Sequence, residues 1–176
     1  MRLLDAVHFA AEHHRLQRRK GKAPGDTGLD TPYINHPIRV AHLLATTGNV
    51  TDIDILLAAI LHDTIEDTTA TESDVRARFG DRVAAFVAEV TDDKSLPKAE
   101  RKRLQVGHAP HMSEGAALVK LSDKSDNLQD LLSSPPEWPI ERVREYFDWA
   151  GSVVGALPVR SEALRAHFEA LVAQKP

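Results

Sequence analysis

The segment Ile53–Leu61, IDILLAAIL, is apolar on every side except at Asp54. A helix without a polar face is stable only where other elements enclose it, so this run predicts a core helix inside an all-α bundle. The rest of the chain supplies the enclosing helices. Leu3, Leu4, Val7, Ala10 and Ala11 recur at three-and-four spacing and predict a first amphipathic helix that runs out into the basic stretch 15–22. Residues 21–35, rich in Gly, Pro, Asp and Thr, read as a loop longer than a plain connector. Pro37 suits the first turn of a second helix and Gly48 its end. Thr71 with Asp74 has capping-box spacing, Gly80 closes that helix, and 81–90 and the basic run 98–105 give two more. Ser113 caps a helix through Leu132, the diproline Pro135-Pro136 makes a corner, and 140–157 and 162–172 complete the set. There is no β-alternation, internal repeat or linker. The prediction is one compact domain over residues 1–176, an all-α bundle of about eight helices.

Composition narrows the chemistry. The 176 residues suit a single domain, and 42 % apolar with 27 % charged residues is ordinary for a globular chain. There is no cysteine, which excludes disulfides, thiolate metal sites and a cysteine nucleophile, so any metal must be held by imidazole and carboxylate. Asp5 and the histidines of the N-terminal run are unlike a signal peptide, and no apolar stretch is long enough to cross a membrane, so a cytoplasmic protein is expected. A net charge of −4, from 22 basic and 26 acidic residues, is the wrong sign for wrapping nucleic acid. It leaves room for a small anion held by a local basic cluster. A homodimer is compatible with the sequence but follows from nothing in it.

The apolar helix ends in HDTIED. His62 and Asp63 are thereby carried to the middle of the fold, where a charge is costly unless paired or metal-bound. Glu66 and Asp67 follow four residues later and, on a continuous helix, share the faces of His62 and Asp63. His36 stands before Pro37, and Asp123 interrupts an otherwise apolar helix beside Leu121. Singly these are ordinary surface residues. Together, two nitrogens and two carboxylates suit a divalent ion of the Mn, Fe, Co or Zn type, which can activate water at neutral pH.

The motifs YINHPIRVA, LLAAILHDTIEDT, FGDRVAAFVAEVTDDKSLPKAERKRLQ, APHMSEGAALVKLSDK and REYFDWAGSVV, in this order, resemble the HD-domain small alarmone hydrolases. These are single-domain relatives of the hydrolase half of bifunctional (p)ppGpp synthetase/hydrolases, including the animal form. The resemblance implies an HD-domain helical bundle and removal of the 3′-pyrophosphate of guanosine tetra- or pentaphosphate to give GDP or GTP and pyrophosphate. It implies one manganese ion on His36, His62, Asp63 and Asp123, with Glu66 and Asp67 as the catalytic acids. It also implies Arg19 and Lys20 beside the nucleotide base, and Lys98, Asn127, Arg142 and Tyr146 along the substrate.

Three departures from that family's pattern stand out. The loop after Lys20 is longer, Ser125 and Asp126 replace a leucine and a large or aromatic residue, and Gln129 replaces an arginine. Asp126 would oppose a polyphosphate unless it points outwards. A metal-dependent phosphatase of another nucleotide such as NADPH is therefore the alternative. A non-catalytic alarmone-binding module is the alternative of another class.

Overall fold

The computed structural model describes residues 1–19 and 31–176. Lys20 and most of the predicted 21–35 loop lie outside the described residues. Among the described residues ten α-helical segments follow one another: α1 (Arg2–His13), α2 (Asn35–Thr46), α3 (Ile53–Leu61), α4 (Thr64–Asp67), α5 (Glu72–Phe79), α6 (Asp81–Val90), α7 (Lys98–His108), α8 (Glu114–Ser133), α9 (Ile140–Ala156) and α10 (Glu162–Val172). A single 3-10 turn, Ala109–His111, joins α7 to α8. Among the described residues there is no strand, only one antiparallel bridge between Arg18 and Pro32. None of these helices is long and apolar enough to cross a membrane.

Helix α3 is enclosed as its sequence requires. It packs against α1, α2, α6 and α8, and Leu57, Ala58, Ala59 and Leu61 are fully buried. Helix α8, the longest, lies against α2, α3, α6, α9 and α10. Its approach to α6 depends on Gly115, where a Cβ would stand 2.5 Å from the Phe86 ring. The capping predictions are met: the Thr71 side chain accepts from Asp74 N while Asp74 accepts from Thr71 N, and the Ser113 hydroxyl accepts from Ala116 N.

Two boundaries differ from the periodicity. Helix α1 stops at His13 instead of running through the basic stretch. His14 is 2 % exposed and stacks on Tyr33 at 4.9 Å between ring centres. The chain then turns back, with Arg19 N donating to Thr31 O and Tyr33 N to Gln17 O. These bonds fix Arg19 and Tyr33 on the two ends of the loop. The second difference is a bend at His62-Asp63, which separates HDTIED from α3 as the single turn α4. There His62 Nδ1 donates to Ala59 O at 2.8 Å and Thr64 Oγ1 to Leu61 O at 2.7 Å. Side chains thus take terminal carbonyls that a continuing helix would have bonded.

Candidate functional site

Three elements converge on one buried cluster. The first turn of α2 supplies His36, the end of α3 supplies His62 and Asp63, and the middle of α8 supplies Asp123. His36, His62 and Asp123 each place one donor atom within 4.8 Å of the others. Asp63 Oδ2 stands 3.6 Å from His36 Nε2 and 3.1 Å from His62 Nε2. Asp123 Oδ1 stands 3.2 Å and 3.8 Å from the same two atoms. The four residues separated by up to 87 positions in sequence are therefore brought together as their types predict.

The donor set fits a divalent cation. Both imidazoles have Nδ1 committed elsewhere, His62 to Ala59 O and His36 to Asp126 Oδ2 at 2.6 Å. With Nδ1 carrying the proton, the Nε2 lone pairs face the carboxylates, and buried His62 Nε2 has no hydrogen-bond partner. Such a gathering of electron-rich atoms repels itself until a positive charge enters. The titration behaviour agrees. Burial disfavours charge on His62, but Asp63 and Asp123 outweigh it and push the imidazole up to about 10. Burial likewise opposes ionisation of Asp63 and Asp123, yet His62 and His36 hold Asp63, and Lys124 with the histidines holds Asp123, below the usual carboxylate range.

Tyr33 and Lys124, which the sequence did not single out, and Asn127, expected along the substrate, all bond this cluster. Tyr33 donates its hydroxyl to Asp63 Oδ2 at 2.6 Å. Burial, followed by the Asp63 charge, keeps that phenol well above its ordinary pKa, so it remains a donor. Lys124, buried, donates to Asp123 Oδ2 at 3.0 Å and lies 4.7 Å over the Trp149 ring. Asn127 Nδ2 donates to Asp123 Oδ1 at 2.6 Å. A lysine beside Asp123, just after the mostly apolar Leu118–Leu121 run of α8, was a usable signal for Lys124. Tyr33, three residues before His36, had no comparable mark.

The catalytic-acid candidates take different surroundings. Glu66 Oε2 accepts from Asp92 N at 3.0 Å, and Arg101 Nη1 stands 3.8 Å from Oε1. Burial raises its pKa, partly offset by the Asp92 bond. Asp67 is ion-paired with Lys94 and keeps its bond from Asp67 N to Asp63 O at 2.9 Å. Because of the bend, the expected single helical face from His62 to Asp67 is not formed.

Two clefts adjoin the cluster. One, of about 290 Å³, is bordered by Arg19, Tyr33, Asp67, Asn127, Trp138 and Tyr146. The other, of about 170 Å³, is bordered by Lys98, Arg101, Lys102, Arg142, Tyr146 and Trp149. Tyr146 separates them, its buried hydroxyl pushed up to about 12 by desolvation. Trp138, another residue absent from the sequence reading, carries the Arg142 guanidinium 3.9 Å above its ring. Of the predicted basic cluster, Arg103 does not join: it is exposed and paired with Glu100. The departing residues within α8 can each be placed. Ser125 Oγ donates to Leu121 O, Gln129 is exposed, and the Asp126 carboxylate is engaged by His36 and Arg39.

A helical bundle with a buried His, His-Asp, Asp set defines the class of HD-domain proteins. Residues 6–148 match the family described as HD domain, and the chain belongs to that family, among relatives named guanosine-3′,5′-bis(diphosphate) 3′-pyrophosphohydrolase MESH1. The relative from Danio rerio is 50 % identical over 98 % of this chain and 93 % of its own. The one from Homo sapiens is 52 % identical over 98 % and 94 %. A solved structure described as a metazoan ortholog of SpoT that hydrolyzes ppGpp superposes with a TM-score of 0.91 at 44 % identity, covering 98 % of this chain and 94 % of that one.

Proposed function

We propose that the protein, as a single domain over its 176 residues, hydrolyses the 3′-pyrophosphate of guanosine tetra- or pentaphosphate. Water supplies the new oxygen on the released group, and the products are GDP or GTP and pyrophosphate. The observation that carries this reading is the buried donor cluster with two cationic or aromatic clefts beside it, the second lined by Asp92 and Arg101, the residues that hold Glu66. Near-full-length likeness to proteins of that name supports it.

His36, His62, Asp63 and Asp123 would hold the ion, for which we propose manganese. The chemistry such an ion would supply there is Lewis-acid stabilisation of phosphoryl charge and a lowered pKa for water, so that hydroxide is available near neutral pH. Glu66 is assigned the proton of the attacking water: Asp92 N fixes Oε2, which leaves Oε1 to receive it, and burial keeps the carboxylate basic. Asp67, anchored by Lys94, assists in proton transfer. Arg19 and Asn127 would face the nucleotide, with Lys20, next to Arg19 in the chain, assigned to the same base. Lys98 and Arg142 would meet phosphates across Tyr146. The proposal places the enzyme in the cytoplasm, with a nucleotide as partner in preference to nucleic acid or membrane, in keeping with the −4 net charge.

The NADPH alternative rested on Asp126 and Gln129. Asp126 is ion-paired with Arg39 and hydrogen-bonded to His36, and Gln129 is exposed outside both clefts, so neither residue opposes a guanosine polyphosphate. Comparing kcat/KM for ppGpp and NADPH on one manganese-loaded preparation tests this. A higher value for ppGpp, lost in Asp63→Asn, is expected; preference for NADPH, or binding of ppGpp without turnover, would replace the proposal by one of the two alternatives.

A further inference from the structure

The two histidines of the cluster are oriented by different means. His62 Nδ1 reaches a carbonyl of its own helix, Ala59 O, a partner present in any chain that folds this way. His36 Nδ1 depends on a side chain, Asp126 Oδ2 at 2.6 Å, which arrives from α8, 90 residues further on. Asp126 is 7 % exposed. A carboxylate so placed needs more than one partner, and Arg39 supplies the rest: Nε donates to Oδ1 at 2.6 Å and Nη2 to Oδ2 at 2.8 Å. Arg39 lies three residues after His36, so one face of α2 presents both the imidazole and the guanidinium to the same acid. The outer edge of Arg39 is held in turn, Nη2 donating to Asp130 Oδ1 at 2.8 Å. Asp130 Oδ2 receives Arg19 at 2.7 Å, Arg19 donates to Asn127 Oδ1 at 2.8 Å, and Asn127 returns to Asp123. The circuit closes on the donor cluster.

We infer that Asp126, braced by Arg39, is a positioning residue for the metal centre: it holds His36 in the tautomer and orientation that present Nε2, and thereby raises the affinity for the divalent ion. The inference rests on the proposed metal site. It assigns a role to one of the residues at which the chain departs from the family pattern. A carboxylate on the far nitrogen of a ligating imidazole fixes the ring and increases its basicity, and removing such a partner weakens metal binding by about 10 to 100-fold.

The test uses the full chain, stripped by chelation and titrated calorimetrically with Mn²⁺, for wild type, Asp126→Ala, Asp126→Asn and Arg39→Gln. The thermal midpoint of each metal-free protein is measured alongside. Asp126→Ala is expected to weaken Mn²⁺ binding about 10 to 100-fold. Asp126→Asn, whose amide oxygen still accepts from Nδ1, recovers part of that loss, and Arg39→Gln falls between Asp126→Ala and wild type. If Asp126→Ala fails to fold, the order wild type, Arg39→Gln, Asp126→Asn decides. Folded variants that bind Mn²⁺ as tightly as wild type overturn the positioning role, as does an affinity loss that only tracks the thermal midpoint without rescue by Asn. A wild-type chain that binds no divalent ion overturns both this inference and the proposed function. Wild-type binding without ppGpp hydrolysis overturns the function alone.

Discussion

Helix α3 is apolar from Ile55 to Leu61 and brings its site residues only at its C-terminal end, whereas α8 carries its own in the middle. Lys120, Ser122, Asp123, Lys124, Ser125 and Asp126 of α8 are all buried. At the end of α3 the bend into α4 provides local partners, so His62 and Thr64 are satisfied by carbonyls three residues back. In α8 Ser125 returns to Leu121 O of its own helix, but three of the buried charged groups take partners from other elements: Val90 O for Lys120, the Trp149 face for Lys124, His36 and Arg39 for Asp126. The same polar chemistry therefore costs little at a helix end and depends on long-range pairing in a helix interior. Chemistry at the α3 end is expected to fail through rate, and chemistry in α8 through stability and metal affinity.

The largest effect is expected at the α3 end. Glu66→Gln should lower kcat by about 10² to 10⁴-fold while leaving the ion bound, as measured by steady-state kinetics beside metal analysis. The pH profile carries the sign. Glu66 must be ionised to take a proton, and burial raises its pKa, so activity is lost as pH falls through a value above that of an ordinary glutamate. In Glu66→Gln that acidic limb disappears from the residual rate.

Substitutions inside the two helices sharpen the contrast next. Lys124→Met leaves Asp123 buried without its cation and should destabilise the metal-free protein by about 3 to 5 kcal/mol. Leu57→Ala, in the fully buried middle of α3, should cost about 2 to 5 kcal/mol as a cavity. Similar losses have different remedies. A divalent ion beside Asp123 replaces the missing charge, so Mn²⁺ should restore more of the denaturation midpoint in Lys124→Met than in Leu57→Ala. Equal restoration would mean that α8 pairing is unrelated to the site.

The smallest effect is expected in the nucleotide cleft. Arg19→Ala removes the donor to Asn127 and Asp130 and should raise KM for ppGpp roughly tenfold, about the value of one charge-assisted hydrogen bond, with a lesser change in kcat. A large fall in kcat instead would place Arg19 with the reacting atoms.

This contrast also explains what could be read from the chain alone. The core position of α3, the capping of α5 and α8, and the candidate donors at 36, 62, 63 and 123 all follow from local pattern or from residue types in order. The bend after Leu61 was hidden because the competing bonds from His62 and Thr64 are side-chain events that apolar periodicity does not register. Asp126 read as a charge that would oppose a polyphosphate, since its neutralising partner Arg39 lies 87 residues away in sequence. Trp138 and Tyr33 gave no signal because each acts by standing between elements, which only the packed bundle defines.

Product analysis across metal loading tests the central claim most directly. Chelated protein is titrated with Mn²⁺ in the presence of ppGpp, and nucleotide and phosphate products are separated at each step. The account predicts GDP and pyrophosphate in equal amounts, appearing in proportion to the ion bound and absent without it. Release of single phosphate, or undiminished turnover by the metal-free chain, would contradict it.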